Sequence, residues 1–164
     1  MAHSLLDHSH STAENCPLIP AKKKPVVLCI DDDPDICQCL QIQLEHLGLE
    51  VQTALFGTHG YWDALVRRPH IIITDLRMPQ GSGDYVIELL KRNPKTRNIP
   101  IIVLTGRRDP ELKRYLTDMG IAKFFCKPLA FQELCDELAL HIPLKPPKNN
   151  LQTTESTSPT PATT

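Results

Sequence analysis

The feature that most constrains this chain is an alternation of short apolar runs with longer amphipathic segments. Val26-Val27-Leu28-Cys29-Ile30 stops abruptly at Asp31-Asp32-Asp33, Ile71-Ile72-Ile73-Thr74 stops at Asp75, and Pro100 to Gly106 ends its apolar stretch at Thr105. Runs of this length that are apolar throughout read as strands covered on both faces. A weaker alternating stretch from Leu49 to Ala54, and a short run from Ala122 to Cys126, complete five strands. The segments between them carry helix signals. Asp33 can cap a helix with Pro34 at its first position and Asp35 in its first turn, and Ile36, Leu40, Leu44 and Leu47 then recur at helical spacing until Gly48. A second helix is predicted near Thr58 to Arg67, with Trp62, Leu65 and Val66 facing the core. Met78 to Gly83 is a loop by its Pro and Gly content, and Asp84 is expected to cap a helix through Val86, Ile87, Leu89 and Leu90. Two more helices are expected at about Asp109 to Met119 and Ala130 to His141. Strands alternating with helices imply right-handed βαβ units, hence an α/β domain with a five-stranded parallel sheet wound on both faces.

Composition marks where that domain stops. Of 15 prolines, eight lie before residue 26 or after residue 142, flanking a central stretch of about 118 residues. Residues 1–24 are expected to form a flexible arm and 143–164 a Pro/Thr-rich disordered tail, with the domain at 25–142. Because no further domain is expected after residue 142, output should pass through a separate protein, through dimerisation or through phosphate relay. The formal net charge of -1 offers no footprint for direct DNA binding. No apolar run approaches the roughly 20 residues needed to span a membrane. The start lacks the apolar core of a signal peptide, and the six cysteines lack a CxxC pair, so reduced thiols in the cytoplasm are expected. Cys29 and Cys126 are expected in the core, and Cys37 and Cys39 point roughly 200° apart on a helix, which argues against a metal site.

Ligands of such folds bind beyond the carboxyl ends of the strands, where the strand order reverses. The residues expected there are Asp31 and Asp32, Asp75, Thr105 and Lys127. Two carboxylates 4 Å apart repel by about 4 kcal/mol at an effective dielectric near 20, so clustered acids need a cation. Oxygen ligands select Mg²⁺ or a similar hard ion. A carboxylate such as Asp75 beside that metal can act as nucleophile toward a phosphoryl donor, with Lys127 and the Thr105 hydroxyl compensating phosphoryl oxygens.

These residues resemble the receiver domain of two-component response regulators. The resemblance covers about residues 25–142 and rests on Leu28-Cys29-Ile30-Asp31-Asp32-Asp33, Ile73-Thr74-Asp75-Leu76-Arg77-Met78-Pro79, Val103-Leu104-Thr105-Gly106 and Phe124-Phe125-Cys126-Lys127-Pro128, with the Gly81 to Gly83 turn similar to a family loop. It implies a flavodoxin-like strand order 2-1-3-4-5. It further implies that Asp75 accepts phosphate from a phosphohistidine of a sensor histidine kinase or phosphotransfer protein, so that the chain is a phosphoacceptor regulator and not a turnover enzyme. Asp32 would bind Mg²⁺ (or Mn²⁺) directly, Asp31 through water and Arg77 through its backbone carbonyl, with Asp75 completing the metal site. Thr105 and Phe124 match the family's switch pair, and the Lys127-Pro128 peptide matches its cis bond. The face carrying the fourth helix, fifth strand and fifth helix would report the switch to a downstream partner, and homodimerisation is a further route.

Two other functions fit parts of the pattern. Asp31-Asp32-Asp33 satisfies the D-x-D element of haloacid-dehalogenase-like phosphatases, with Asp31 as nucleophile, although the acidic pair expected beyond Lys127 is missing. A phosphorylation-independent interaction module would also carry such a domain. Finally, Arg77 and Arg107 lie two positions beyond Asp75 and Thr105. Both are poorly suited to orient an attacking water, which implies a relatively persistent phosphoaspartate.

Overall fold

The parallel register carries all five apolar runs into one sheet. In the computed structural model, which describes residues 23–78 and 82–145, the order is β1 (Val26–Ile30), α1 (Pro34–His46), β2 (Glu50–Ala54), α2 (Gly57–Arg67), β3 (Ile71–Thr74), α3 (Gly83–Arg92), β4 (Ile101–Thr105), α4 (Pro110–Asp118), β5 (Lys123–Cys126) and α5 (Phe131–Ala139). The strands are all parallel and lie in the order β2-β1-β3-β4-β5, as expected. The chain moves outward from β1 to β2 and then returns to the other side of β1 with β3, so the order reverses between β1 and β3. Two buried clusters flank the sheet. One joins α1 and α5 to it through Leu40, Leu44, Leu134 and Leu138. The other joins α2, α3 and α4 to the opposite face through Ala64, Ile87, Leu90 and Leu116.

The helix starts follow local chemistry. The Asp33 carboxylate accepts from the backbone N–H groups of Asp35 (2.9 Å) and Ile36 (3.4 Å), and Asp109 accepts from those of Glu111 and Leu112 (both 3.1 Å). Each cap is followed by proline at the first helical position, whose missing N–H would have had no partner anyway. Gly48 follows α1 with φ of 81°, a conformation that favours glycine.

Several local expectations are corrected. Trp62 and Val66 do not face the core but are 63% and 77% exposed. The inward residues of α2 are Gly57, Gly60 and Ala64, and the helix lies so close to β1 that a Cβ at Gly60 would fall 2.4 Å from Ile30 Cδ1. Ser82, not Asp84, stands at the cap of α3, and Asp84 falls in its first turn. Cys29 is buried but Cys126 is exposed, since β5 is an edge strand. After α5 the backbone N–H of Lys145 donates to Leu47 at 2.9 Å and Leu144 packs against the α1–α5 cluster, so contacts with the domain continue past residue 142. The expectations for residues 1–22, 79–81 and 146–164 lie outside the described residues. No helix among the described residues is long and apolar enough to cross a membrane.

Candidate functional site

Register alone brings the strand-end residues together. Ile30 pairs with Thr74, so the next residues, Asp31 and Asp75, emerge side by side at the point where the strand order reverses. Thr105 pairs with Cys126, and the backbone N–H of Lys127 continues that ladder to the Thr105 carbonyl at 2.8 Å. The ladders also extend one step at the other strands, with Asp31 N–H donating to Ala54 (3.1 Å) and Asp75 N–H to Ile30 (2.9 Å). Backbone bonds therefore fix all four positions before any side chain is considered.

The side chains then close on one cation. Lys127 Nζ donates to Asp31 Oδ2 at 2.6 Å and to Asp75 Oδ2 at 3.0 Å. The other oxygen of each carboxylate is held by backbone: Asp31 Oδ1 accepts from Asp33 N–H at 3.0 Å, and Asp75 Oδ1 accepts from the N–H groups of Leu76 and Arg77. Asp31 and Asp75 are 5% and 8% exposed, and Thr105 is fully buried. Asp32 is half-buried and takes part in no hydrogen bond or ion pair among the described residues. The Lys127-Pro128 peptide is cis, as the resemblance implied.

Burial and pairing act on these charges with different outcomes. Burial pushes the Asp31 carboxyl above its ordinary range, and Lys127 offsets this only in part. Burial works in the same direction on Asp75, but there the Thr105 hydroxyl, Lys127 and the Arg77 N–H prevail and hold the group below its ordinary range. Lys127 is disfavoured as a cation by burial, yet its two carboxylates raise it above the usual lysine range. At neutral pH the site thus holds an ionised Asp75 that is fixed, desolvated and paired. That is what a carboxylate nucleophile requires.

The donor set is made of oxygens, which suits a hard divalent cation. Among the described residues, however, no three His, Cys, Asp or Glu side chains stand together as a group that could hold a metal ion. Lys127 bridges Asp31 and Asp75 instead, supplying the compensating charge the acids require. Above the strand ends lies an open depression of about 510 Å³ lined by Arg77, Gly106, Arg107, Arg108 and Asp109. Within it Arg107 pairs with Asp109 at 3.4 Å, while Arg77 is exposed. Phe124 is buried in the same cluster as Val103 and Leu116. The side chains of Asp33 and Asp35 do not join the site and serve α1.

Two contributors were not visible in the sequence. The backbone at Gly83 presses so closely on the strand end that a Cβ there would lie 2.2 Å from the Asp75 carbonyl oxygen and 2.7 Å from Leu76 Cα. A glycine opening a predicted helix was the available signal. Cys37 donates its thiol to the Asp31 carbonyl at 3.4 Å, a contact that only the fold reveals.

Comparison with known proteins agrees with this fold. Residues 27–139 match the family model described as the response regulator receiver domain. Over 110 residues the chain is 34% identical to the DNA-binding dual master transcriptional regulator RpaA of Synechocystis, covering 67% of this chain and 46% of that protein. It is also 32% identical over 129 residues to hybrid signal transduction histidine kinase D of Dictyostelium discoideum, covering 79% of this chain and 8% of the relative. The chain thus spans less than half the length of these relatives. Among solved structures, the chemotaxis protein CheY4 of Vibrio cholerae superposes with a TM-score of 0.68 at 28% identity, over 73% of this chain and 100% of that one. A response regulator receiver domain protein from Clostridium thermocellum gives 0.67 at 29% identity, over 72% and 94%. Receiver domains are signalling modules that interact with histidine kinases or phosphotransfer proteins and bind Mg²⁺ at an acidic pocket. With residues 27–139 matching the family model and its fold shared with solved receiver domains, this chain belongs to the response regulator receiver domain family.

Proposed function

We propose that Asp75 accepts a phosphoryl group from a phosphohistidine of a sensor histidine kinase or phosphotransfer protein. The observation that carries this reading is the double contact of Lys127 with Asp31 and Asp75, combined with two backbone N–H groups on the other Asp75 oxygen. An Asp75 oxygen attacks phosphorus while the P–N bond of the donor breaks, and the imidazole nitrogen leaves with the electron pair. Lys127 and the Thr105 hydroxyl stand where they can compensate phosphoryl oxygens. Asp31, Asp32 and Asp75, with the Arg77 backbone carbonyl, would hold Mg²⁺ or Mn²⁺, Asp32 directly and Asp31 through water, only after drawing together from the arrangement in which Lys127 bridges Asp31 and Asp75. The ion, when bound, supplies charge neutralisation for the transferring group. Asp32 is the carboxylate left uncommitted for this purpose.

The switch would pass from Thr105 to Phe124, which lies two positions before its paired residue Cys126, and on to the face of α4, β5 and α5 where a downstream partner docks. Arg77 and Arg107 on the rim favour a persistent phosphoaspartate, because both are poorly suited to orient an attacking water. Incubation with Mg²⁺ and a small acyl phosphate, followed by intact-mass analysis, tests the reading. Wild type should gain one phosphoryl group and Asp75→Asn none, while the Arg77→Asn/Arg107→Asn double variant should lose its label faster. An equal rate of loss removes the role given to the arginines. Label retained in Asp75→Asn but lost with turnover in Asp31→Asn would instead indicate the phosphatase, and a wild type that never labels would indicate an interaction module independent of phosphorylation.

A further inference from the structure

A basic track runs from the rim of the strand-end site onto α4 and β5. The depression that holds Arg77, Arg107, Arg108 and Asp109 adjoins a second one of about 330 Å³, lined by Arg108, Asp109, Pro110, Lys113, Phe124 and Cys126. The two share Arg108 and Asp109, so they are continuous. Local sequence builds the track. Arg107 and Arg108 occupy the turn between β4 and α4, and Lys113 lies one helical turn beyond the Asp109 cap. Gly106 contributes by having no side chain, since a Cβ there would stand 3.2 Å from Arg77 Nη2. The Arg77 guanidinium thereby reaches from the end of β3 to the end of β4.

Charge along the track is almost all of one sign. Four cations, Arg77, Arg107, Arg108 and Lys113, line it against a single acid, Asp109. That acid is already committed. Its Oδ1 accepts from the N–H groups of Glu111 and Leu112, and its Oδ2 pairs with Arg107 at 3.4 Å. The side chains of Arg77, Arg108 and Lys113 are exposed and take part in no ion pair among the described residues. Where the track meets β5 its floor is apolar, formed by the buried Phe124 with Pro110 beside it.

Uncommitted cations over an apolar floor fit an extended segment that carries several carboxylates and one apolar side chain. The guanidinium fork matches carboxylates in pairs, and clustered arginines are a recurring means of reading acidic motifs. A nucleic acid fits less well, because a formal net charge of -1 supplies no extended field for a run of phosphates. We propose that the track from Arg77 to Lys113 binds an acidic segment of a partner protein, with carboxylates on Arg108 and Lys113 and an apolar side chain over Phe124. This rests on the face of α4, β5 and α5 being where the downstream partner docks, and it gives that partner's chemistry. The contact is small beside the roughly 800 Å² per partner of a standard interface, so an isolated peptide should bind with a dissociation constant on the order of 100 µM.

Fluorescence anisotropy tests this, with the full chain titrated into a fluorescein-labelled peptide of glutamates around one central leucine, at low ionic strength where charge pairing is least screened. The anisotropy should saturate, and added salt should weaken binding. The same peptide with glutamine for every glutamate should bind roughly tenfold more weakly or worse. Arg108→Glu and Lys113→Glu, both at exposed positions that folding does not require, should each weaken binding about fivefold or more, the order of one exposed ion pair. Lys95→Glu makes the same change in net charge between α3 and β4, at the opposite end of the strands, and should bind as wild type does. No binding of the glutamate peptide up to about 1 mM overturns the proposal. Equal binding of the glutamine peptide, an equal loss in Lys95→Glu, or a single-stranded oligonucleotide that displaces the probe more readily than unlabelled peptide does, overturns it as well. A wild type that binds the glutamate peptide as described but takes no phosphoryl label would support the acidic partner and overturn the reading of Asp75 alone.

Discussion

The rim at the strand ends and the face of α2 and α3 depart from the usual arrangement of a globular surface in opposite ways. At the rim, groups that belong in water are withdrawn from it, with Asp31, Asp75 and Thr105 all under 9% exposed. On the α2–α3 face, groups that belong in the core are left outside it. The difference is instructive because the two departures have different costs. Buried charges must be satisfied within the molecule, and Lys127 does so. Exposed apolar side chains need no internal partner and cost the monomer little, so that surface is available for contacts between molecules. The comparison can be broken by showing that the rim tolerates loss of its cation, or that the face matters to the folding of the monomer.

Lys127→Met should give the largest effect. Removing one partner of a fully buried ion pair costs about 3–5 kcal/mol, but Lys127 retains some contact with solvent, so about 2–3 kcal/mol is expected here. Urea denaturation at pH 7 measures it. The variant should recover stability as the pH falls, because Asp31 and Asp75 can then escape their mutual repulsion by taking up protons. A loss below about 0.5 kcal/mol, the range of ordinary surface substitutions, would mean that the rim does not depend on its cation.

Gly83→Ala should come next and sharpens the contrast in a different way, since it adds bulk to the rim without touching its charges. The added Cβ would meet backbone, the Asp75 carbonyl oxygen at 2.2 Å, and not the flexible end of a side chain. An overpacking cost of about 1–3 kcal/mol is expected, with displacement of the strand end that carries Asp75. Comparable denaturation curves for the variant and wild type would show that α3 can simply move away.

The same two regions show what was legible in the sequence. At the rim, each functional residue directly follows an apolar run, so the position of the run fixes the position of the residue, and a ladder hydrogen bond finishes the placement. Asp31, Asp75, Thr105 and Lys127 were found in that way. The α2 face was misread at two positions because hydrophobicity at helical spacing pointed Trp62 and Val66 inward together with the half-buried Leu65. The inward side is set instead by Gly57, Gly60 and Ala64, and at Gly60 even a Cβ would fall 2.4 Å from Ile30 Cδ1. Hydrophobic periodicity has no term for close approach, and for the same reason it overlooked Gly83. Cys126 was misplaced because a short edge strand is covered less completely than its central neighbours.

The smallest expected effect separates the regions by pH. Asp31 has its folded pKa raised by burial, so its ionisation disfavours the folded state at neutral pH, and that penalty is relieved as the pH falls through the raised value to the ordinary one near about 3.9. Asp75 has the opposite sign. Its folded pKa is depressed, so its contribution is complete above about 3.9 and is lost below it as the folded carboxylate takes up a proton. Together they predict a stability that climbs from neutral pH toward about 4 and falls beyond it. Asp31→Asn should remove the climb and keep the fall, leaving the variant no less stable than wild type at pH 7 while Lys127 still holds Asp75. Val66→Asp, on the exposed face, should keep both limbs of the profile and lie within about 0.5 kcal/mol of wild type throughout. If Asp31→Asn retained the climb, burial at Asp31 would not be its cause; if Val66→Asp lowered the whole curve, the α2–α3 face would belong to the fold of the monomer and the contrast between the two regions would fail.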